Sequence, residues 1–141
     1  MRWLLLDEVL SIEKQKRASA RSRVPQAPFS AEFLMIEMMA QTGALLVGLE
    51  KDFEEDLIFA KIESAVFYPG FKPGESIHIE ASADGLSSEG GWLEADIKTS
   101  RGLAAKARFL LMNVGHLVPG RKKSITFHDA FMEHFRIKEK I

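Results

Sequence analysis

The rhythm of apolar and polar positions changes several times along the chain, and each change marks an element. Residues 3–12 are apolar and predict a strand running into Ile12. Residues 13–23 are polar and basic, with Lys14, Lys16, Arg17, Arg21 and Arg23, and fit either a second, exposed strand or a loop. Two prolines between Val24 and Pro28 predict an irregular lead-in rather than a helix. Residues 30–50 then read as one long helix with no proline inside it. Ser30 is placed to cap its start, and Glu32 lies favourably in its first turn. About 18 to 20 residues at 1.5 Å each make a rod of roughly 28 Å. Phe33, Leu34, Met35, Ile36, Met38, Met39, Ala40, Ala44, Leu45, Leu46 and Val47 leave it almost no polar face, so it must be surrounded by protein. Ala40, Gly43, Ala44 and Gly48 are small enough to let a sheet or a partner helix approach closely.

After an acidic link from Glu50 to Asp56 the period drops to two. Leu57–Phe67, Ile77–Ala83, Trp92–Thr99 and Leu103–Met112 read as four strands. Pro69-Gly70, Pro73-Gly74, Gly90-Gly91 and Ser100-Arg101-Gly102 supply turn chemistry between them. Consecutive strands with short turns predict an antiparallel meander. The alternation Ile77-His78-Ile79-Glu80-Ala81 gives it one dry and one wet face. Gly115 to Lys123 is a basic linker, and Thr126 to Lys138 reads as a final amphipathic helix capped by Thr126, with Asp129 in its first turn. Phe127, Phe131 and Phe135 form a stripe at i, i+4, i+8 that is expected to dock on the protein's own surface, the alternative being a partner. The predicted architecture is α+β: an antiparallel sheet wrapped around one long central helix (residues 1–114), followed by a linker and C-terminal helix (115–141) in the same globular unit. One small sheet cannot enclose a rod on all sides, so a second subunit is expected to cover part of it, in a homodimer or higher homo-oligomer.

Composition narrows the function. The 141 residues suit one domain with a core of its own. Lys plus Arg number 19 and Asp plus Glu 20, so the net charge of −1 removes the usual driver of nucleic-acid binding. Without cysteine there is no disulfide, thiol nucleophile or Cys-based metal site. No uninterrupted apolar run reaches the roughly 18 residues of a membrane span, and the run after Met1 is too short for a secretory signal. A cytoplasmic protein without metal or cofactor is expected.

Glu37 is the anomaly, flanked by Met35-Ile36 and Met38-Met39 in the middle of the apolar helix. An unpaired carboxylate buried there costs several kcal/mol or is held neutral. It reads either as a general acid, base or nucleophile, or as a carboxylate paired with an arginine or exposed in a groove. Gln41, four residues on, shares its face. His78, His116, His128 and His134 are scattered without metal-ligand spacing and read as surface residues. No Ser/His/Asp constellation and no glycine-rich phosphate loop can be placed. Five basic residues between Lys14 and Arg23 form a solvated face or a dock for an acidic partner.

The run Phe33-Leu34-Met35-Ile36-Glu37-Met38-Met39-Ala40-Gln41 resembles the central-helix signature of the hotdog-fold 3-hydroxyacyl-acyl-carrier-protein dehydratases. Trp3-Leu4-Leu5-Leu6-Asp7-Glu8-Val9-Leu10 resembles the family's first strand, and Phe67 through Pro73-Gly74-Glu75 its later Phe…Pro-Gly-Asp turn. The resemblance covers residues 3 to about 112 and leaves the tail from Gly115 outside. It implies an acyl thioester of carrier protein or coenzyme A in a tunnel beside the helix, and a dimer whose sites are each shared by two chains. It also implies a catalytic His and Glu, with the helix N-terminus around Ala31 and Phe33 polarising the thioester carbonyl and Gln41 completing the substrate-binding set. The chain departs from the pattern at the His. Counting back from Glu37 sets Arg23-Val24-Pro25-Gln26-Ala27-Pro28 against the family's His-Phe-Pro-Gly-His-Pro, so Arg23 stands in place of the catalytic His and Ala27 of the second. Arginine keeps its proton and is no general base; paired with Glu37, even across a dimer, it would favour the carboxylate. Three functions are therefore open: a dehydratase-like enzyme of altered mechanism, a non-catalytic subunit binding acyl-carrier protein, and a thioesterase working through Glu37 alone.

Overall fold

The computed structural model describes residues 4–24, 26, 30–120, 124 and 126–141. Trp3, Pro25, Ala27, Pro28 and Lys123, on which parts of the sequence reading rest, lie outside these residues. Nine elements follow in order among the described residues: β1 (Glu8–Glu13), β2 (Arg17–Arg23), α1 (Ala31–Leu49), β3 (Leu57–Phe67), β4 (Ser76–Ser87), β5 (Gly90–Thr99), β6 (Gly102–Asn113), α2 (Asp129–His134) and α3 (Ile137–Lys140). The basic stretch resolves as a strand. Gln15, at φ 63°, turns β1 back into β2, where Ala18, Ala20 and Ser22 are buried between exposed arginines.

The six strands form one antiparallel sheet in the order β1-β2-β4-β5-β6-β3. Only β4-β5-β6 is the expected meander. β3 crosses to the far edge and pairs with β6, while β2 takes the place beside β4. The link over residues 68–75 is long enough to make that crossing, whereas a hairpin turn would have held β3 against β4. Gly90 and Gly91, read as a turn, lie inside β5. A Cβ on Gly90 would stand 2.2 Å from the Leu111 carbonyl oxygen, so close strand approach is what requires glycine there.

α1 matches its expected bounds closely. Ser30 Oγ accepts the Phe33 N–H at 3.2 Å, and Glu50 ends the helix. Leu34, Met38, Met39, Leu45 and Leu46 are fully buried against the sheet, each worth about 1.5–3 kcal/mol relative to exposure. Its small residues do admit close neighbours: a Cβ on Gly43 would meet the Phe109 ring of β6 at 3.1 Å, and one on Gly48 would meet Phe127 at 2.5 Å. By length and mean hydropathy α1 would suffice to cross a membrane, yet 67% of that window is buried inside the fold.

The C-terminal segment departs from one continuous helix. Arg136, at φ 52°, breaks it into α2 and α3 and turns Ile137 into the core. The cap is His128, whose Nδ1 accepts the Phe131 N–H at 3.1 Å; Thr126 is drawn elsewhere. Phe127, Phe131 and Phe135 are buried in the same apolar cluster as the sheet and α1, with successive rings packed edge to face at 5.7 and 5.0 Å. The stripe docks on the chain itself.

Candidate functional site

Glu37 projects from the middle of α1 and is half-buried, not sealed in the core. Its carboxylate is also not unpaired. Gln41, one turn later, donates from Nε2 to Glu37 Oε1 at 3.3 Å, and Gln41 Oε1 in turn accepts the Leu5 N–H at 3.0 Å. The backbone ahead of β1 thus holds the amide, which holds the carboxylate. An amide has two donors and two acceptors, so it can serve both neighbours at once. Ser22 Oγ donates to the Leu5 carbonyl and ties the same stretch to β2. The sequence placed Glu37 and Gln41 on one face; Leu5 gave no signal, because a main-chain donor has no side-chain signature.

Ala31 opens α1, and Phe33 beside it is 49% exposed, a large apolar side chain left at the helix start without burial. The first N–H groups of any helix lack intrahelical acceptors and attract a developing negative charge. Ser30 takes up that of Phe33. Glu32 in the same turn is exposed.

Arg23 ends β2 and is exposed. Its Nη1 donates to the Gly74 carbonyl at 3.1 Å, and no ion pair joins it to Glu37 within the chain. The turn that receives it is itself braced. Gly74 N–H donates to the Val24 carbonyl at 2.9 Å, and Arg101 Nη2 donates both to Glu75 Oε2, at 2.8 Å, and to the Gly70 carbonyl, at 2.6 Å. The Arg101 hydrogen bond holds the Glu75 carboxyl below its ordinary range. Arg101 was legible only as part of a turn.

A second carboxylate was legible in the sequence only as the end of the acidic link before β3. Asp56 is 1% exposed and gathers the tail: Oδ1 accepts from Ser124 Oγ at 2.8 Å and Thr126 N–H at 3.0 Å, and Oδ2 from Leu117 N–H at 2.9 Å. It ends an acidic run just before an apolar strand, which is the one signal it gave. Of the histidines, His128 serves as the helix cap. Among the described residues no cluster of His, Asp and Glu could hold a metal ion.

No family model matches the chain. The 3-hydroxyacyl-acyl-carrier-protein dehydratase FabZ of Chlamydia abortus is 31% identical over 104 residues, covering 63% of this chain and 68% of the relative. Among solved structures, the dehydratase heterocomplex ApeI:P from Xenorhabdus doucetiae superposes with a TM-score of 0.66 at 15% identity, over 79% of this chain and 84% of that one. The protein smu.793 from Streptococcus mutans, bound to acetyl CoA, superposes with a TM-score of 0.64 at 13% identity, over 82% and 93%. At such identities the two structures speak for the fold, a hotdog.

Proposed function

Because the chain belongs to the FabZ-like family of hotdog dehydratases, we propose that it binds 3-hydroxyacyl thioesters of acyl-carrier protein or coenzyme A in the cytoplasm, with Glu37 as the carboxylate that handles protons at the site. The observation that carries this reading is the Leu5–Gln41–Glu37 chain of hydrogen bonds, which aims a half-buried carboxylate from an otherwise apolar helix. Exposed Phe33 and the start of α1 at Ala31 offer an apolar wall and N–H dipoles to an acyl thioester. Dehydration needs a base for the α-proton and an acid for the leaving hydroxyl. Glu37 supplies the second. Arg23, protonated and bonded to the Gly74 carbonyl, does not supply the first. Loss of one general base costs roughly 10²- to 10⁴-fold in rate.

That engagement of Arg23 favours a second reading, in which the chain is a non-catalytic or half-catalytic subunit that lends Glu37 to a base-bearing hotdog partner. The relative ApeI:P is a dehydratase heterocomplex, and a shared site of that kind would keep this Glu–Gln pair while releasing position 23 from its role.

Hydration of a crotonyl thioester separates the possibilities. The chain alone should turn over roughly a hundredfold or more slowly than a His-bearing relative, and Arg23→His should recover part of the rate. Strong activity that survives Glu37→Gln would remove Glu37 from the site. Release of free thiol from an acyl-CoA, abolished in Glu37→Ala, would instead assign hydrolysis, with Glu37 taking a proton from the attacking water.

A further inference from the structure

Ser22 breaks the pattern of its own strand. The inward positions of β2 are Ala18, Ala20 and Ser22, and the serine is as buried as the alanines, at 1% exposure. A third alanine would fill the row with no polar group to satisfy. A buried hydroxyl is costly without a hydrogen bond, so its partner is the informative observation. The other buried polar side chains among the described residues serve elsewhere. Thr42 donates to the Met38 carbonyl in its own helix, and Ser124 donates to Asp56 in the tail. Ser22 leads to Glu37.

The path runs through Leu5. The β1–β2 ladder reaches the pair Glu8–Arg21, and the Asp7 N–H still bonds the Arg21 carbonyl at 3.0 Å. Leu5 lies beyond that ladder, and side chains from two layers take up its main-chain groups. Ser22 Oγ of β2 donates to its carbonyl, and Gln41 Oε1 of α1 accepts its N–H at 3.0 Å. The peptide on each side of the Leu5 Cα is thereby pinned. This matters for Gln41, because the last torsion of a glutamine is broad and roughly twofold, and nothing within the side chain decides which end of its amide faces Glu37. The Leu5 N–H decides it. With Oε1 drawn to that donor, Nε2 is left to donate to Glu37 Oε1 at 3.3 Å. A reversed amide would set oxygen against oxygen.

We infer that Ser22 is a positioning residue for Glu37: its hydroxyl fixes Leu5, Leu5 fixes the sense of the Gln41 amide, and the amide holds the carboxylate. The inference rests on the reading of Glu37 as the carboxylate that handles protons. Ser22 itself touches neither Glu37 nor a substrate, so its loss acts on the rate of the chemical step and leaves substrate affinity alone.

Two measurements on the full chain test this. Ser22→Ala matches its row in size and should fold, which circular dichroism checks. In the 15N-labelled protein, the Leu5 N–H and the Gln41 side-chain amide protons should exchange about tenfold faster in Ser22→Ala than in the parent. In hydration of crotonyl-CoA, the same variant should lose about tenfold in kcat with KM within about twofold. Ser22→Cys, of similar size and with a weak donor, should fall between alanine and the parent. In a Gln41→Ala background, Ser22→Ala should cost less than about twofold, since the path it acts through is already cut. Amide protons that exchange at the parent's rate, an equal loss of rate with and without Gln41, or a loss carried by KM would each overturn the inference. A parent that hydrates no crotonyl-CoA would count against the thioester reading alone, and the amide protons would still decide whether Ser22 holds the pair.

Discussion

Asp96 stands on β5 between Glu80 of β4 and Lys106 of β6, and its Oδ1 is buried with no hydrogen-bond partner. Desolvation pushes its carboxyl above the ordinary range; Lys98 opposes this, and Glu80 adds to it. A carboxyl raised in the folded state costs stability at every pH where both states are ionised. As pH falls through the folded value, the native protein takes up the proton first and the cost disappears. Asp96→Asn should therefore melt higher than the parent at pH 7, with the gap closing toward about pH 4, where the unfolded carboxyl is itself half protonated. Calorimetry at the two pH values checks this, and a gap of constant size would assign the effect to packing. Glu37 takes the opposite course to the same problem. With Gln41 bonded to it, it stays half-buried and partnered, so the anomaly seen in the sequence marks an oriented group and not a sealed one.

At the scale of elements, Asp56 decides where the tail lies. It joins the start of β3 to residues 117, 124 and 126, and the Val114 N–H bonds its carbonyl at 2.9 Å. Asp56→Ala would leave buried donors without acceptors, at about 1–3 kcal/mol each when no water replaces them. The melting temperature should fall sharply, and limited proteolysis should cut first between Gly115 and Thr126 while the sheet stays intact. Cleavage at the parent's rate would refute the clamp. The same residue explains what the sequence did and did not disclose. α1 was readable because an apolar run with a capping serine and no proline has one solution. The tail was not, because its Phe stripe ends at Phe135 and carries no sign that the backbone turns left-handed at the next residue, Arg136. Thr126 has the chemistry of a cap, yet Asp56 takes its N–H and hydroxyl, and His128 caps instead. The place of β3 was equally hidden, since alternation shows that a strand exists and says nothing of its neighbours. Glu37 and Gln41 could be found in the sequence as polar residues on an apolar helix, whereas the main-chain donor Leu5 and the Gly74 carbonyl that holds Arg23 could not.

For the whole molecule, the edge position of β3 matters most. β3 pairs with β6 on one side only. Ile58, Phe59, Ile62 and Val66 remain 38–47% exposed along it, and Phe33 is 49% exposed at the start of α1. An edge with unpaired main-chain groups and apolar side chains is a template for another strand, and a second β3 laid antiparallel would continue the sheet across a twofold axis. Such a dimer would also cover apolar surface that one sheet leaves bare. Ile62→Lys places a charge in the centre of that edge, so the parent should be dimeric by light scattering and the variant shifted to monomer, with its far-UV circular dichroism unchanged. If thioester binding falls together with the dimer, the site needs both chains; if the monomer binds as well as the parent, Glu37 and Gln41 suffice within one. A parent protein that is monomeric at micromolar concentration would leave β3 without its partner and the shared-site reading without support.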